Sequence, residues 1–135
     1  MEKEVFNHIV RVLRDYPNID KYVREREEEL MHPWQEPDNN IGGGRSNVPT
    51  NLPEVMAITI SDDRRLSNLE RNKKIVTRCL ENSDSQTVTI IHELYIKQHP
   101  TLTLQGVADK VHLSVSAVKQ RRTRFFEDMR LLLGW

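Results

Sequence analysis

The stretch between residues 114 and 126 combines hydroxyl, amide and cationic side chains and contains no acidic residue. Its cations are Lys119, Arg121, Arg122 and Arg124. Such side chains donate hydrogen bonds to the base edges and phosphates of duplex DNA. Charge runs also occur on ordinary solvent-exposed helices, so the interpretation depends on the elements that position this one.

Two predicted helices meet at this stretch, one ending near Val111 and the other beginning after Ser114. Their apolar positions repeat at helical spacing, at Leu104, Val107, Ala108 and Val111 in the first and at Val118, Phe125 and Met129 in the second. Thr103 and Ser114 can cap the two helices because their hydroxyls accept orphan backbone N–H groups. Two helices joined by so short a turn are typical of a helix-turn-helix, whose second helix enters the major groove.

We therefore predict a DNA-binding surface on the second helix and at the start of the first. The expected base contacts are Ser116, Lys119 and Gln120, and the expected phosphate contacts are Thr103, Arg121, Arg122 and Arg124. The same surface includes Ser114, Val115 and Thr123. Six of these side chains are expected to point away from the core, namely Val115, Ser116, Lys119, Gln120, Arg122 and Thr123.

The charge of the chain is distributed unevenly along its 135 residues. The total formal charge is zero, yet residues 1–38 carry a net charge of −4, and residues 39–83 and 84–135 carry +2 each. A neutral total therefore does not exclude a local basic face. The contents of 37% hydrophobic and 30% charged residues are typical of a helix-rich soluble protein.

The sequence offers no pattern for catalysis or metal binding. Cys79 is the only cysteine, which excludes an intrachain disulfide and a thiolate metal cluster, and the five histidines lack zinc spacing. The glutamates at residues 25 and 27–29 fit a solvated helix face better than a catalytic pair. The glycines at residues 42–44 lack the Lys-Ser/Thr of a phosphate-binding loop. We expect no enzyme, no metal and no cofactor.

The overall pattern predicts an all-α fold in three parts. Residues 1–52 form a helical hairpin, broken at Pro17 and Asn18, and then a Pro/Gly-rich loop. Residues 53–83 form a long linking helix; its pattern thins near residues 61–65, where it bends or two helices meet, and we favour one helix. Residues 84–135 form the helix-turn-helix domain. Asp84 can cap the helix at its start, which precedes the two helices of the motif. No run is long and apolar enough to span a membrane, and no signal peptide is visible, so an intracellular protein is expected.

Two family resemblances involve these motifs. Residues 84–130, with LSVSAVK at 113–119, resemble the C-terminal promoter-reading module of bacterial sigma factors. More specifically, YPN at 16–18, MHPW at 31–34, NIGG at 40–43 and the helix around MA at 56–57 resemble the RinA family. These are phage-encoded activators of late, packaging and morphogenesis genes in Gram-positive hosts. There are two departures: His112 lies in a turn where many helix-turn-helix proteins have glycine, and Arg121 occupies a position that is often apolar.

The RinA resemblance implies a sequence-specific, DNA-binding transcriptional activator that works with host RNA polymerase. We expect a cytoplasmic, nucleoid-associated protein of the bacterial host that forms a homodimer or higher homo-oligomer. Two other interpretations stay open: a small terminase subunit that recognises phage DNA for packaging, and a module that binds a sigma factor or polymerase through the same fold. A serine recombinase is disfavoured, because its catalytic domain would not fit in the residues outside the helix-turn-helix.

Overall fold

The computed structural model describes residues 1–31, 59–60 and 62–135, and within these ranges the regular structure is helical, without a strand. The predicted all-α fold is thus confirmed. The predicted Pro/Gly-rich loop, with Trp34 and residues 42–44, lies outside the described residues, as does the predicted linking helix before residue 59. No helix in the described part of the chain is long and apolar enough to cross a membrane.

The described part of the chain contains six α-helices. Their bounds are Lys3–Asp15 (α1), Ile19–Met31 (α2), Arg64–Glu81 (α3), Ser85–Ile91 (α4), Leu104–Val111 (α5) and Val115–Leu133 (α6). A 3-10 turn, Tyr16–Asn18, separates α1 from α2 at the predicted break, since Pro17 lacks a backbone N–H. The helix α4 continues into a π-turn, His92–Ile96, in which the Lys97 N–H donates to the His92 carbonyl at 2.8 Å. Packing of α1 on α2 as a hairpin stays a prediction.

The start of α3 corrects one prediction. Residues 59–60 and 62 are helical, but Asp63 is not, and its Oδ1 accepts the Leu66 N–H at 2.9 Å. A helix cap of this kind satisfies a backbone donor that would otherwise lack a partner. The single unbroken helix that we favoured is therefore wrong at this point, where the apolar pattern thins.

Residues 1–19 and 71–135 form one compact unit. Its main core is made of apolar side chains from α1, α3, α4, the π-turn and α6: Ile9, Val12, Leu13, Ile75, Val76, Cys79, Ile91, Tyr95, Ile96, Phe125, Phe126, Met129 and Leu133. The Phe126 ring lies 4.9 Å from that of Phe6 and 5.2 Å from that of Tyr95, measured between centroids. The first helix thus packs against the last, a contact that the sequence prediction did not include.

A smaller core in the same unit fixes α5 and the start of α6. It consists of Ile90, Val107, Ala108, Val111 and Val118, with Leu102, Leu104, Leu113 and Val115 packed around it. Ala108 and Val118 are fully buried, as the helical spacing predicts. A small residue at this position allows the two helices to approach closely.

Residues 20–70 form the second compact unit. Its described residues belong mainly to α2 and to the start of α3. The Arg26 guanidinium donates to both carboxylate oxygens of Asp63, at 3.2 and 2.8 Å, and to Glu29 at 3.0 Å. The hydrogen bonds from Arg26, together with the one from the Leu66 N–H, lower the pKa of the Asp63 carboxyl. Among the described residues, no group of three or more His, Cys, Asp or Glu side chains could hold a metal ion.

Candidate nucleic-acid interface

Both helices of the candidate interface begin with the predicted caps. The Thr103 Oγ1 accepts the Gly106 N–H at 3.1 Å, and the Ser114 Oγ accepts the Ala117 N–H at 3.1 Å. Each hydroxyl satisfies one orphan donor of its helix, which fixes where the helix begins. Because the Ser114 cap ends a three-residue connection, residues 112–114, the start of α6 lies immediately beyond α5.

The connection reverses the chain through a left-handed residue. His112 has φ 59° and ψ 42°, its N–H donates to the Asp109 carbonyl at 3.3 Å, and the Leu113 N–H donates to the Ala108 carbonyl at 3.0 Å. These two bonds form a Schellman motif at the end of α5, with Leu113 turned onto the smaller core. The left-handed conformation costs a residue with a Cβ roughly 1–2 kcal/mol. His112 is therefore a strained position, where glycine would fit without strain.

Two polar contacts hold α5 against the preceding helix and turn. The Lys110 Nζ donates to the Glu93 Oε1 at 2.7 Å, and the Gln86 side chain donates to the Val111 carbonyl at 3.1 Å. The Glu93 side chain is only 9% exposed, and the ammonium of Lys110 lowers the pKa of its carboxyl. A buried carboxylate paired in this way keeps its charge at neutral pH, so the contact holds α5 against the π-turn.

The first half of α6 presents five exposed side chains on one surface: Ser116, Lys119, Gln120, Thr123 and Arg124. None of the five makes a hydrogen bond or ion pair with another described residue. Together with Glu127 they line an open groove. We call these five residues the free face. They comprise two cations, an amide and two hydroxyls, which are the groups that contact base edges and phosphates.

The other two cations of this half-helix are engaged within the protein. Arg121 pairs with Asp84. The Arg122 Nη1 donates to the Tyr95 hydroxyl at 3.3 Å, and its guanidinium lies 5.6 Å from the centroid of the Phe6 ring. We predicted Arg122 to point outward, and this is wrong. Position 122 lies one turn from Phe126, on the stripe that α6 buries against the core.

The remaining predicted residues, which are not part of the free face, are Thr103, Ser114 and Val115. Val115 is half-buried against the smaller core, so its predicted outward orientation is also wrong. Its position, three residues before buried Val118, places it on the packed side. Ser114 is exposed with its oxygen used as a cap, and Thr103 is exposed at the start of α5, also with its oxygen used as a cap.

A cavity of about 550 Å³ lies between the start of α4 and the middle of α6. Its lining includes Asp84, Gln120, Arg121, Arg124 and Asp128. The Thr87 backbone N–H donates to the Asp84 Oδ1 at 2.7 Å, and this bond, aided by Arg121, lowers the pKa of the Asp84 carboxyl. The sequence identifies Asp84 as a cap, but it carries no signal for the pairing with Arg121, since 36 residues separate the two.

Comparison with known proteins adds two findings. A family model described as "Protein of unknown function (DUF722)" matches residues 6–131, which include the entire candidate interface. The chain is also 33% identical over 105 residues to "Transcriptional activator rinA" of Staphylococcus phage phi11, a match that covers 76% of this chain and 71% of that protein. No solved structure matches the chain significantly.

Proposed function

The chain belongs to the RinA family, and from this premise we propose that it is a sequence-specific, DNA-binding transcriptional activator. The resemblance inferred from its sequence motifs is thereby confirmed. The observation that supports DNA binding most strongly is the free face of α6. Its cations, Lys119 and Arg124, lack partners among the described residues, while Arg121 and Arg122 beside them are paired.

In this proposal α5, the turn and α6 act as a helix-turn-helix. Ser116, Lys119 and Gln120 contact base edges in the major groove. A lysine suits the acceptor edge of guanine, and a glutamine suits the paired donor and acceptor of adenine. From Ser116 to Arg124 the helix rises about 12 Å, enough to follow about three base pairs.

Phosphate contacts come from the edges of the same surface. Arg124 and Thr123 flank the base-contacting residues on α6, and Thr103 lies at the start of α5 with a hydroxyl proton free to donate. Contacts to phosphate fix the register of the protein on DNA without distinguishing one sequence from another. Arg121 and Arg122 are not part of this surface, because their guanidinium groups hold α6 onto α4, α1 and the π-turn.

The proposal also covers the target genes, the polymerase partner, the location in the cell and the oligomeric state. We infer that the protein activates late packaging and morphogenesis genes of a phage, together with host RNA polymerase, in the cytoplasm at the nucleoid. A homodimer or higher homo-oligomer suits a helix-turn-helix, because two copies on adjacent turns of DNA double the contact area. The support for activation is the name of the relative, a transcriptional activator of a staphylococcal phage.

Footprinting of the purified protein on the DNA that flanks its own gene tests the proposal. We expect a protected site there and increased transcription from a promoter linked to that site. Absence of a gel shift on any DNA at low salt would contradict DNA binding. A ring-sized particle without promoter activation would instead identify a small terminase subunit, and binding to polymerase without any DNA shift would identify a polymerase-binding module.

A further inference from the structure

Asp84 uses its two carboxylate oxygens for two different elements. Oδ1 accepts the Thr87 N–H and caps α4, while Oδ2 pairs with the Arg121 guanidinium on α6. Since neither oxygen does both tasks, the charge on Asp84 can be removed without removing the cap. The effect of the pairing on Arg121 can therefore be tested without changing the start of α4.

Arg121 lies directly beside the free face. It is three residues before Arg124 and lines the same cavity as Arg124 and Gln120. Residues three apart are neighbours on a helix surface. The Arg121 side chain is 33% exposed, so its guanidinium reaches solvent at the edge of that surface. Without Asp84, this cation would extend the positive surface of α6 by one charge.

We propose that Asp84 limits the affinity of the protein for DNA of any sequence by holding Arg121 away from the phosphate backbone. This inference rests on the proposed DNA-binding function of α6. Each phosphate that a cation neutralises releases counterions and strengthens binding irrespective of sequence. With Arg121 withheld, the protein leaves non-cognate DNA sooner, which is useful because non-cognate sites in a genome greatly outnumber the cognate one.

Substitution Asp84→Asn tests the inference with a fluorescent random-sequence duplex as the probe. Asparagine is as good a helix cap as aspartate, so α4 keeps its start while the charge is lost. We expect tighter binding at low salt and a slope of log affinity against log salt that is steeper by about 0.9, the change for one added phosphate contact. Circular dichroism and the urea midpoint establish that both proteins are folded.

Arg121→Gln, made in both backgrounds, assigns the effect to Arg121. In the wild-type background it should leave the slope unchanged, and in the Asp84→Asn background it should restore the wild-type slope. Asp128→Asn is the matched control, because Asp128 lines the same cavity without pairing with Arg121. Asp128→Asn also removes one negative charge near the DNA. In the Asp128→Asn background, however, adding Arg121→Gln should leave the salt slope unchanged.

Two results would overturn the inference. One is an unchanged slope for Asp84→Asn, and the other is a shallower slope for Arg121→Gln in the wild-type background, which would mean that Arg121 contacts phosphate despite Asp84. Either result would leave DNA binding itself intact, because the wild-type protein would still show a salt-dependent shift. Absence of any shift for the wild type and every variant would reject the proposed function and this inference together.

Discussion

The two halves of α6 use similar residues for opposite purposes. In the first half, Lys119 and Arg124 extend into solvent without partners among the described residues, while in the second half Arg130 pairs with Glu127 at 2.9 Å. The second half also contributes Phe126 and Met129, both essentially fully buried, to the main core. The comparison shows that the second half anchors α6 in the main core, while the first half, itself anchored by Val118 and Arg122, also presents the free face that reads DNA in our proposal. In either half, a cation is engaged where its position brings it to a partner, as for Arg122 and Arg130.

The largest expected effect tests the anchoring half. Phe126→Ala should lower the free energy of unfolding by about 3–5 kcal/mol, because a fully buried ring contacting Phe6 and Tyr95 is replaced by a cavity. Urea denaturation measures the change. Leu131→Ala is the matched control, since Leu131 is 67% exposed on the same half, and its loss should cost no more than about 0.5 kcal/mol. Equal losses for the two variants would remove the distinction between buried and exposed positions.

The next test distinguishes base contacts from phosphate contacts within the free face. Lys119→Ala should weaken binding to the cognate site by about 1–3 kcal/mol and affect random DNA much less, because a base contact is lost. Arg124→Ala should weaken binding to both DNAs alike and make the salt slope shallower by about 0.9. Fluorescence anisotropy across a salt series distinguishes the two variants. If both variants lose equally on both DNAs, the division between base and phosphate contacts is wrong.

Arg122→Ala tests one of the two cations in the first half that are engaged within the protein. We expect a loss of stability of about 1–2 kcal/mol, because the contact with the Phe6 ring and the hydrogen bond to Tyr95 both disappear. The salt slope on random DNA should not change. Arg124→Ala is the control and should show the reverse pattern, with stability changed by no more than about 0.5 kcal/mol. A shallower slope for Arg122→Ala would place Arg122 on the DNA-binding surface.

The smallest expected effect concerns the turn before α6. His112→Gly should stabilise the fold by about 0.5 kcal/mol, since relief of the left-handed strain exceeds the additional entropy of glycine in the unfolded chain. Binding at the cognate site should stay within the error of the wild type, because the Ser114 cap still sets the start of α6. A stability gain accompanied by lost binding would show that the imidazole, and not only the backbone of the turn, contributes to the interface.

Local sequence signals predicted the elements near the interface well. The caps at Thr103, Ser114 and Asp84 and the buried positions Val107 and Val118 are found as predicted, because each depends on neighbours within one or two turns. Long-range pairing was not predictable in this way. The contacts of Arg122 with Phe6 and of Arg121 with Asp84 produce no periodic pattern in the sequence. The spacing of one turn between position 122 and buried Phe126 did indicate that Arg122 faces the core, and the sequence prediction did not use it. The DNA contacts themselves, and the predicted boundaries between the three parts of the chain after residues 52 and 83, stay predictions.

The packing of α1 against α6 affects when the protein can fold during synthesis and which fragments of it can fold alone. Because Phe6 and Phe126 are partners separated by 120 positions, the main core cannot close on the ribosome until Phe126 has been synthesised. For the same reason, a recombinant fragment that starts at residue 84 would lack Phe6, Ile9 and Leu13 and would expose the aromatic surface they cover. We therefore expect a library of truncated variants to yield soluble product only when both α1 and α6 are retained.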